Sequence, residues 1–167
     1  MDREYSIRPA TPDDVPEIVA LQEENLPANG GSLSVRQPPA WFERAIAEGA
    51  LIVARRPHLV GYVLGTSIAA QAHIPIIKAL LDAYPPPPEC YVYGPVCVAG
   101  SERGRGLASA LFEVLRTQMN DRPSVTFVRS ENTPSLQAHR KMGMREQGSF
   151  QCDGVSYAAF LYRTLTV

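Results

Sequence analysis

The sequence has few cysteines, one tryptophan, no excess of charge of either sign and no long apolar run. Each shortage excludes something. Three cysteines, Cys90, Cys97 and Cys152, show neither a CxxC pair nor a Cys/His ligand spacing, so no structural metal site is indicated. An odd count suits reduced thiols better than a disulfide frame. The first residues, MDREYSIRPA, carry acids and no apolar core of a secretory signal, and the expectation is a cytoplasmic protein. A formal net charge of −1 argues against a broad nucleic-acid footprint, which needs clustered positive charge. Apolar runs fall well short of the roughly 18 residues that a bilayer span needs, so no membrane partner is expected.

What is present is an ordinary globular balance, 45% hydrophobic and 20% charged over 167 residues. No repeat or composition break divides the chain, and a single domain over 1–167 is expected. Fifteen prolines are scattered apart from Pro85–Pro88, which reads as a stiff extended connector. Tyr5–Arg8 reads as a first strand. Thr11-Pro12-Asp13-Asp14 then carries a cap, a first-turn proline and a capping-box acid. A Gly/Ser loop follows over Asn29–Ser34, and a second helix over Pro39–Glu48 ends at Gly49. Ala50–Ala54 and Leu59–Thr66 form a hairpin signal around Arg-Arg-Pro-His. A helix is expected over Gln71–Tyr84 despite Pro75. Cys90–Val98 is a strand, and Gly94-Pro95 inside it calls for a bulge or splay. Helix over Gly104–Met119, strand over Ser124–Val128, helix over Thr133–Lys141 and a hairpin turned by Asp153-Gly154 complete the order. The result is a mixed α/β domain.

Two stretches carry chemistry. Between the strand at Val98 and the helix at Leu107 lies AGSERGRG, a strand, glycine-bearing turn and helix start. The first amides of a helix lack internal partners and the dipole is positive there. Gly104 and Gly106 admit an anion close to the backbone, and Arg103 and Arg105 add charge. A pyrophosphate fits such a place. A tight turn with solvated arginines would look the same. No Gly-Lys-Ser/Thr makes it a Walker loop, and the Rossmann pattern is poor. The second stretch is NTPSLQAHRKMGM, where Asn132, Ser135 and His139 recur on one helix face.

Val96 to Ala108 resembles motif A of the GCN5-related N-acetyltransferases, the GNAT superfamily, whose (Gln/Arg)-x-x-Gly-x-(Gly/Ala) core is met by Arg103, Gly106 and Ala108. Asn132 to Met144 resembles motif B of the same family, and the match spans about Tyr91 to Glu146. The resemblance implies the α/β (α+β) GNAT fold: a mixed, mostly antiparallel sheet splayed between the motif-A strand and the next, with helices on both faces. It implies acetyl-CoA as cofactor. The backbone of Val96 and Val98, flanking Cys97, would hold the pantetheine. Amides of Arg103, Gly104, Arg105, Gly106, Leu107 and Ala108 would hold the pyrophosphate, and Asn132, Ser135 and His139 would line the arm.

The implied reaction is direct attack of a primary amine, of a small molecule or a peptide, on the thioester carbonyl. The amide of Val98 would polarise the carbonyl. His139 stands where the family places a tyrosine that acts as general acid. Imidazolium is a stronger acid than phenol, so His139 could protonate the sulfur, hydrogen-bond it, or simply pack. No acid lies inside the motif-A strand, and Glu89 is only at its edge. Tyr91 and Tyr93 share a face, and Tyr93 is a candidate to line the acceptor slot or relay a proton. Glu23 and Glu24 are further candidates, with a base acting through water as the default. The Gln71–Pro88 insertion could roof the acceptor. Two readings compete with the enzyme: an acyl-CoA-binding module with weak or no catalysis, and a phosphate-binding loop unrelated to CoA. A homodimer would fit family habit.

Overall fold

The computed structural model describes residues 4–31, 33, 35–48 and 50–164. The expected loop end at Ser34 and helix stop at Gly49 therefore lie outside the described residues. Strands are β1 (Ser6–Pro9), β2 (Leu51–Arg55), β3 (Leu59–Ser67), β4 (Tyr91–Val98), β5 (Ser124–Arg129), β6 (Arg145–Cys152) and β7 (Val155–Tyr162). Helices are α1 (Val15–Glu24), α2 (Pro39–Ala47), α3 (Ile68–Gln71), α4 (Pro75–Ala83), α5 (Leu107–Gln118) and α6 (Thr133–Lys141). Strand order in the sheet is β1-β2-β3-β4-β5-β7-β6. Every described pairing is antiparallel except that of β4 with β5.

The chain forms two compact units, residues 1–65 with 95–119 and residues 66–94 with 120–167. The change of unit inside β4 falls at Gly94-Pro95, the step that the sequence marks for disruption. Pairing of β4 with β5 is recorded at Tyr91↔Ser124 and Val92↔Val125, both before that step.

In the first unit, Asp14 fixes the entry to α1. Its carboxylate accepts the Thr11 amide at 2.8 Å, completing the expected capping box, and also meets Arg8 at 2.8 Å and Arg55 at 2.9 Å. A 3-10 turn over Pro12–Asp14 precedes the helix proper. One sheet face carries Leu51, Val53, Tyr62 and Leu64, packed with Ile18, Leu21, Trp41 and Phe42 from α1 and α2. On the other face a Cβ on Gly61 would stand 3.2 Å from Leu111 and 3.3 Å from Leu107, so a bare backbone lets α5 close on the strand. Helices thus cover both faces of this unit's sheet.

In the second unit, β5, β6 and β7 form a three-stranded antiparallel set, with Asp153 and Gly154 both at positive φ in the β6–β7 turn. Two expectations need correction. The helix expected over Gln71–Tyr84 is two helices, because Pro75 has no amide to donate and starts α4 instead of sitting inside it. The helix expected over Gly104–Met119 begins only at Leu107, the start that the loop reading gives, because Gly104 and Gly106 are left-handed, at φ +75° and +76°.

Candidate functional site

In the first unit the segment Ala99–Gly106 carries the chemistry. A 3-10 turn over Gly100–Glu102 leads out of β4, and α5 begins after Gly106. Among the described residues, the amides of Gly104, Arg105 and Gly106 donate to no protein acceptor, and Ala110 is the first that bonds back, to Gly106 O at 3.1 Å. Leu107, Ala108 and Ser109 open the helix, where amides have no carbonyl four residues back to reach. A Cβ on Gly104 or Gly106 would meet nothing within 4 Å, so it is the left-handed backbone, not crowding within the protein, that demands glycine. The result is a run of open amides at a helix N-terminus.

The two arginines of this segment do different work. Arg103 donates through Nη2 to Asn25 Oδ1, and the buried Asn25 is itself tied to Leu21 O at 2.9 Å. Arg103 therefore straps the loop to the end of α1. Arg105 is half exposed and lies 3.8 Å from Glu102. Glu102 is a buried carboxylate that also accepts from Tyr5 and pairs with Arg56 at 3.5 Å. That bond holds the Tyr5 phenol above its usual range. Sequence reading missed Glu102, Asn25, Tyr5 and Arg56, since no local spacing joins residues so far apart in the chain.

On β4, Cys97 points into the core while Val96 and Val98 are half-buried. The Cys97 thiol donates to Leu21 O at 3.7 Å, and burial pushes its pKa up to about 12. It is an inert core residue in side-chain terms. Of the carboxylates considered as bases, Glu23 is paired with Arg36 at 2.6 Å and Glu24 is exposed.

In the second unit, Asn132 and Ser135 are half-buried and His139 is buried, on one face of α6 as their spacing requires. Asn132 Oδ1 accepts the Ser135 amide at 3.3 Å, so its side-chain oxygen caps the helix. His139 Nδ1 lies 2.7 Å from the Ser135 carbonyl. A carbonyl only accepts, so Nδ1 carries the proton, and in the neutral ring Nε2 carries the lone pair. Burial lowers the His139 pKa, opposed in part by the bond to Ser135. The imidazole is neutral at pH 7.

Tyr93 and His139, both singled out from sequence, come together: their rings meet edge-on at 5.8 Å, and Phe160 lies against the other side of the imidazole at 5.6 Å. Tyr93 Oη reaches Met142 Sδ at 3.8 Å, and burial raises the phenol far above its ordinary range. The pair thus consists of a permanently protonated phenol and a neutral imidazole. Among the described residues no cluster of His, Cys, Asp or Glu could hold a metal ion, and no helix is long and apolar enough to cross a membrane.

The family profile described as "Acetyltransferase (GNAT) family" matches residues 15–144. No curated protein matches the sequence. Solved structures share the fold at low identity. An N-acetyltransferase from Staphylococcus aureus Mu50 superposes at a TM-score of 0.72 with 19% identity, covering 96% of this chain and 98% of that one. The ribosomal-protein-alanine N-acetyltransferase of Brucella melitensis gives 0.69 and 20%, covering 95% and 99%. The yncA protein of Salmonella typhimurium, solved with its cofactor acetyl-CoA, gives 0.71 and 15%, covering 96% and 94%.

Proposed function

Because the chain belongs to the GNAT family of acetyltransferases, we propose that it moves the acetyl group of acetyl-CoA to a primary amine, of a small molecule or a peptide, by direct attack in a ternary complex. The observation that carries this reading is the run of open amides from Gly104 into α5. Its geometry fits a pyrophosphate: hydrogen-bond donors, a positive helix end and no side chain at the two left-handed positions. Acetyl-CoA is the family's cofactor, and when bound it supplies an activated acetyl thioester.

The residues divide the work. Amides of Gly104 to Ala108 hold the pyrophosphate; the Arg103 amide instead donates to Gly100 O at 3.5 Å, its side chain keeps the loop on α1, and Arg105 adds screened positive charge. The backbone of Val96, Cys97 and Val98 extends along the pantetheine, and Val98 N–H is the donor that polarises the acetyl carbonyl. Asn132, Ser135 and His139 are assigned to the pantetheine arm. Thermal melting with and without acetyl-CoA tests the binding half of this reading. Stabilisation by several degrees is expected, and no shift at millimolar ligand would favour a phosphate loop unrelated to CoA.

Tyr93 and His139 are the proposed catalytic pair. In their resting states Tyr93 donates and His139 accepts at Nε2. Action of His139 as an acid requires Nε2 to be charged first, which its apolar surroundings oppose. His139→Phe is expected to lower kcat at saturating acetyl-CoA by about 100-fold. A loss under about threefold would assign His139 to packing alone. The pH profile gives the sign: with the His139 pKa lowered, its limb lies below about 6.5, and activity falls as pH drops through it. An acid that must be charged would instead give activity that declines as pH rises.

A further inference from the structure

The backbone beside Tyr93 is met by a side chain that the assignments above do not use. In the second unit, β5 pairs with β4 at Tyr91 and Val92 only, so the following residues of β4 are not gripped from that strand. Gly94 stands at φ +111°, a setting that residues with side chains rarely adopt, and Pro95 after it has no amide to donate. On that side of β4, the setting of Tyr93 against His139 depends on what else reaches the Gly94 peptide.

Gln71 reaches it. Ser67 ends β3, and its side chain accepts the Ala70 amide at 3.2 Å, which starts α3. One turn of helix then returns Gln71 to Thr66, near the end of β3. Both residues are buried. Gln71 Nε2 donates to Thr66 Oγ1 and to the Gly94 carbonyl, the latter at 3.4 Å. A carbonyl only accepts, so the amide nitrogen faces it, and that nitrogen carries two hydrogens, one for each acceptor. Thr66 thus orients Gln71, and Gln71 orients the Gly94 carbonyl, one peptide from Tyr93. Burial makes this arrangement costly to leave, because a buried donor without an acceptor is unfavourable.

The far end of the same insertion is fixed elsewhere in this unit. Tyr84, just after α4, donates to Ser149 O of β6 at 2.9 Å, and its hydroxyl fills the space that a Cβ on Gly148 would need. Ile76, Ile77 and Leu80 of α4 are buried. The insertion is therefore tied to β4 by Gln71 and to β6 by Tyr84.

We infer that Gln71 is a positioning residue for the proposed catalytic pair. It fixes the Gly94 peptide, and through it the edge-on setting of the Tyr93 ring against the His139 imidazole. The use made of the pair rests on the acetyltransferase reading, whereas the positioning does not.

Variants of the full-length protein separate positioning from general loosening. Gln71→Met keeps the length of the side chain and removes the donor. It is expected to lower kcat about tenfold or more at unchanged KM for acetyl-CoA, since a small misplacement of reacting groups is costly in rate. Thr66→Val, which removes the hydroxyl, should lower kcat by less, and Thr66→Ser, which keeps it, should behave as the wild type. Tyr84→Phe unties the other end of the insertion and should lower Tm while leaving kcat in place. Proton NMR adds a readout that needs no acetyl-CoA. The His139 ring resonances, assigned by their loss in His139→Phe, sense the Tyr93 ring and should move in Gln71→Met and not in Tyr84→Phe. Unmoved His139 resonances or wild-type kcat in Gln71→Met would overturn the inference, and so would an equal fall of kcat in Tyr84→Phe. A wild type without turnover would sink the acetyltransferase reading instead, and the resonances would still decide the positioning.

Discussion

Gly106→Val is expected to weaken acetyl-CoA binding roughly 100-fold while leaving the fold in place. Gly106 sits at φ +76°, and a Cβ there meets nothing within 4 Å of the protein. The folded state therefore bears only the backbone strain of a left-handed residue, about 1–2 kcal/mol. For a protein of this size that lowers Tm by about 2–8 °C. The ligand meets a different situation, because the branched side chain projects from the amides that would donate to the pyrophosphate. Charge-assisted bonds of this kind contribute about 1.5–3 kcal/mol each, and loss of one or two accounts for the expected effect. Gly30→Val is the matched control: Gly30 is also left-handed, at φ +83°, with nothing near its Cβ, and it lies outside the loop. Calorimetric titration of both variants with acetyl-CoA checks the prediction. Equal affinity in the two variants would remove the loop from the binding site.

The largest effect on stability is expected at Asp14. This carboxylate is buried, and it accepts from Arg8, Arg55 and the Thr11 amide at once. Asp14→Ala leaves two guanidinium groups without their shared partner and the start of α1 without its cap. Breaking a buried pair in this way costs about 3–5 kcal/mol, which corresponds to a fall in Tm of about 6–20 °C. Asp14→Asn keeps the shape and the cap but not the charge, and should fall between the variant and the wild type.

The pH dependence of this contribution has a definite sign. Burial raises the Asp14 pKa, but the bonds from Arg8 and Thr11 outweigh it, and the net pKa is lowered from 3.8. A lowered carboxylate pKa means that the unfolded chain takes up protons first on acidification. The stabilisation is therefore complete above about pH 4 and is lost as pH falls through the folded-state value. Glu17 adds to the same acid limb, lowered by the Leu59 amide and Arg55. His139 acts earlier. Its pKa is lowered too, so stability declines as pH falls below about 6.5. Melting curves between pH 7 and 3 should show both limbs, and the Asp14→Ala variant should lose most of the lower one.

Much of the fold was legible because local rules and tertiary packing agree. Pro12, Pro39 and Pro134 open helices, Asp153-Gly154 turns a hairpin, and Gly94-Pro95 marks the point where β4 passes from one unit to the other. The errors were of one kind. The long reading of each helix puts Pro75 and the glycines at 104 and 106 inside it, whereas α4 starts at Pro75 and α5 starts after Gly106. For α5 the mistake matters, because the unwound residues are the ones whose amides stand open.

The candidate site was legible where it is local and hidden where it is not. Strand, turn and helix start can be read from AGSERGRG alone, and the shared face of Asn132, Ser135 and His139 follows from spacing. Sequence spacing does not show that Arg103 is occupied by Asn25, or that Glu102 gathers Tyr5, Arg56 and Arg105. Nor does it show that Tyr93 and Phe160 enclose His139 and keep it neutral.

The central claim is amine acetylation, and the most direct measurement of it is thiol release from acetyl-CoA by the full-length protein with a panel of primary amines. The account expects release that depends on amine and saturates. Binding of acetyl-CoA with no amine-dependent release across the panel would contradict it, and would make the protein an acyl-CoA-binding module built on an acetyltransferase fold.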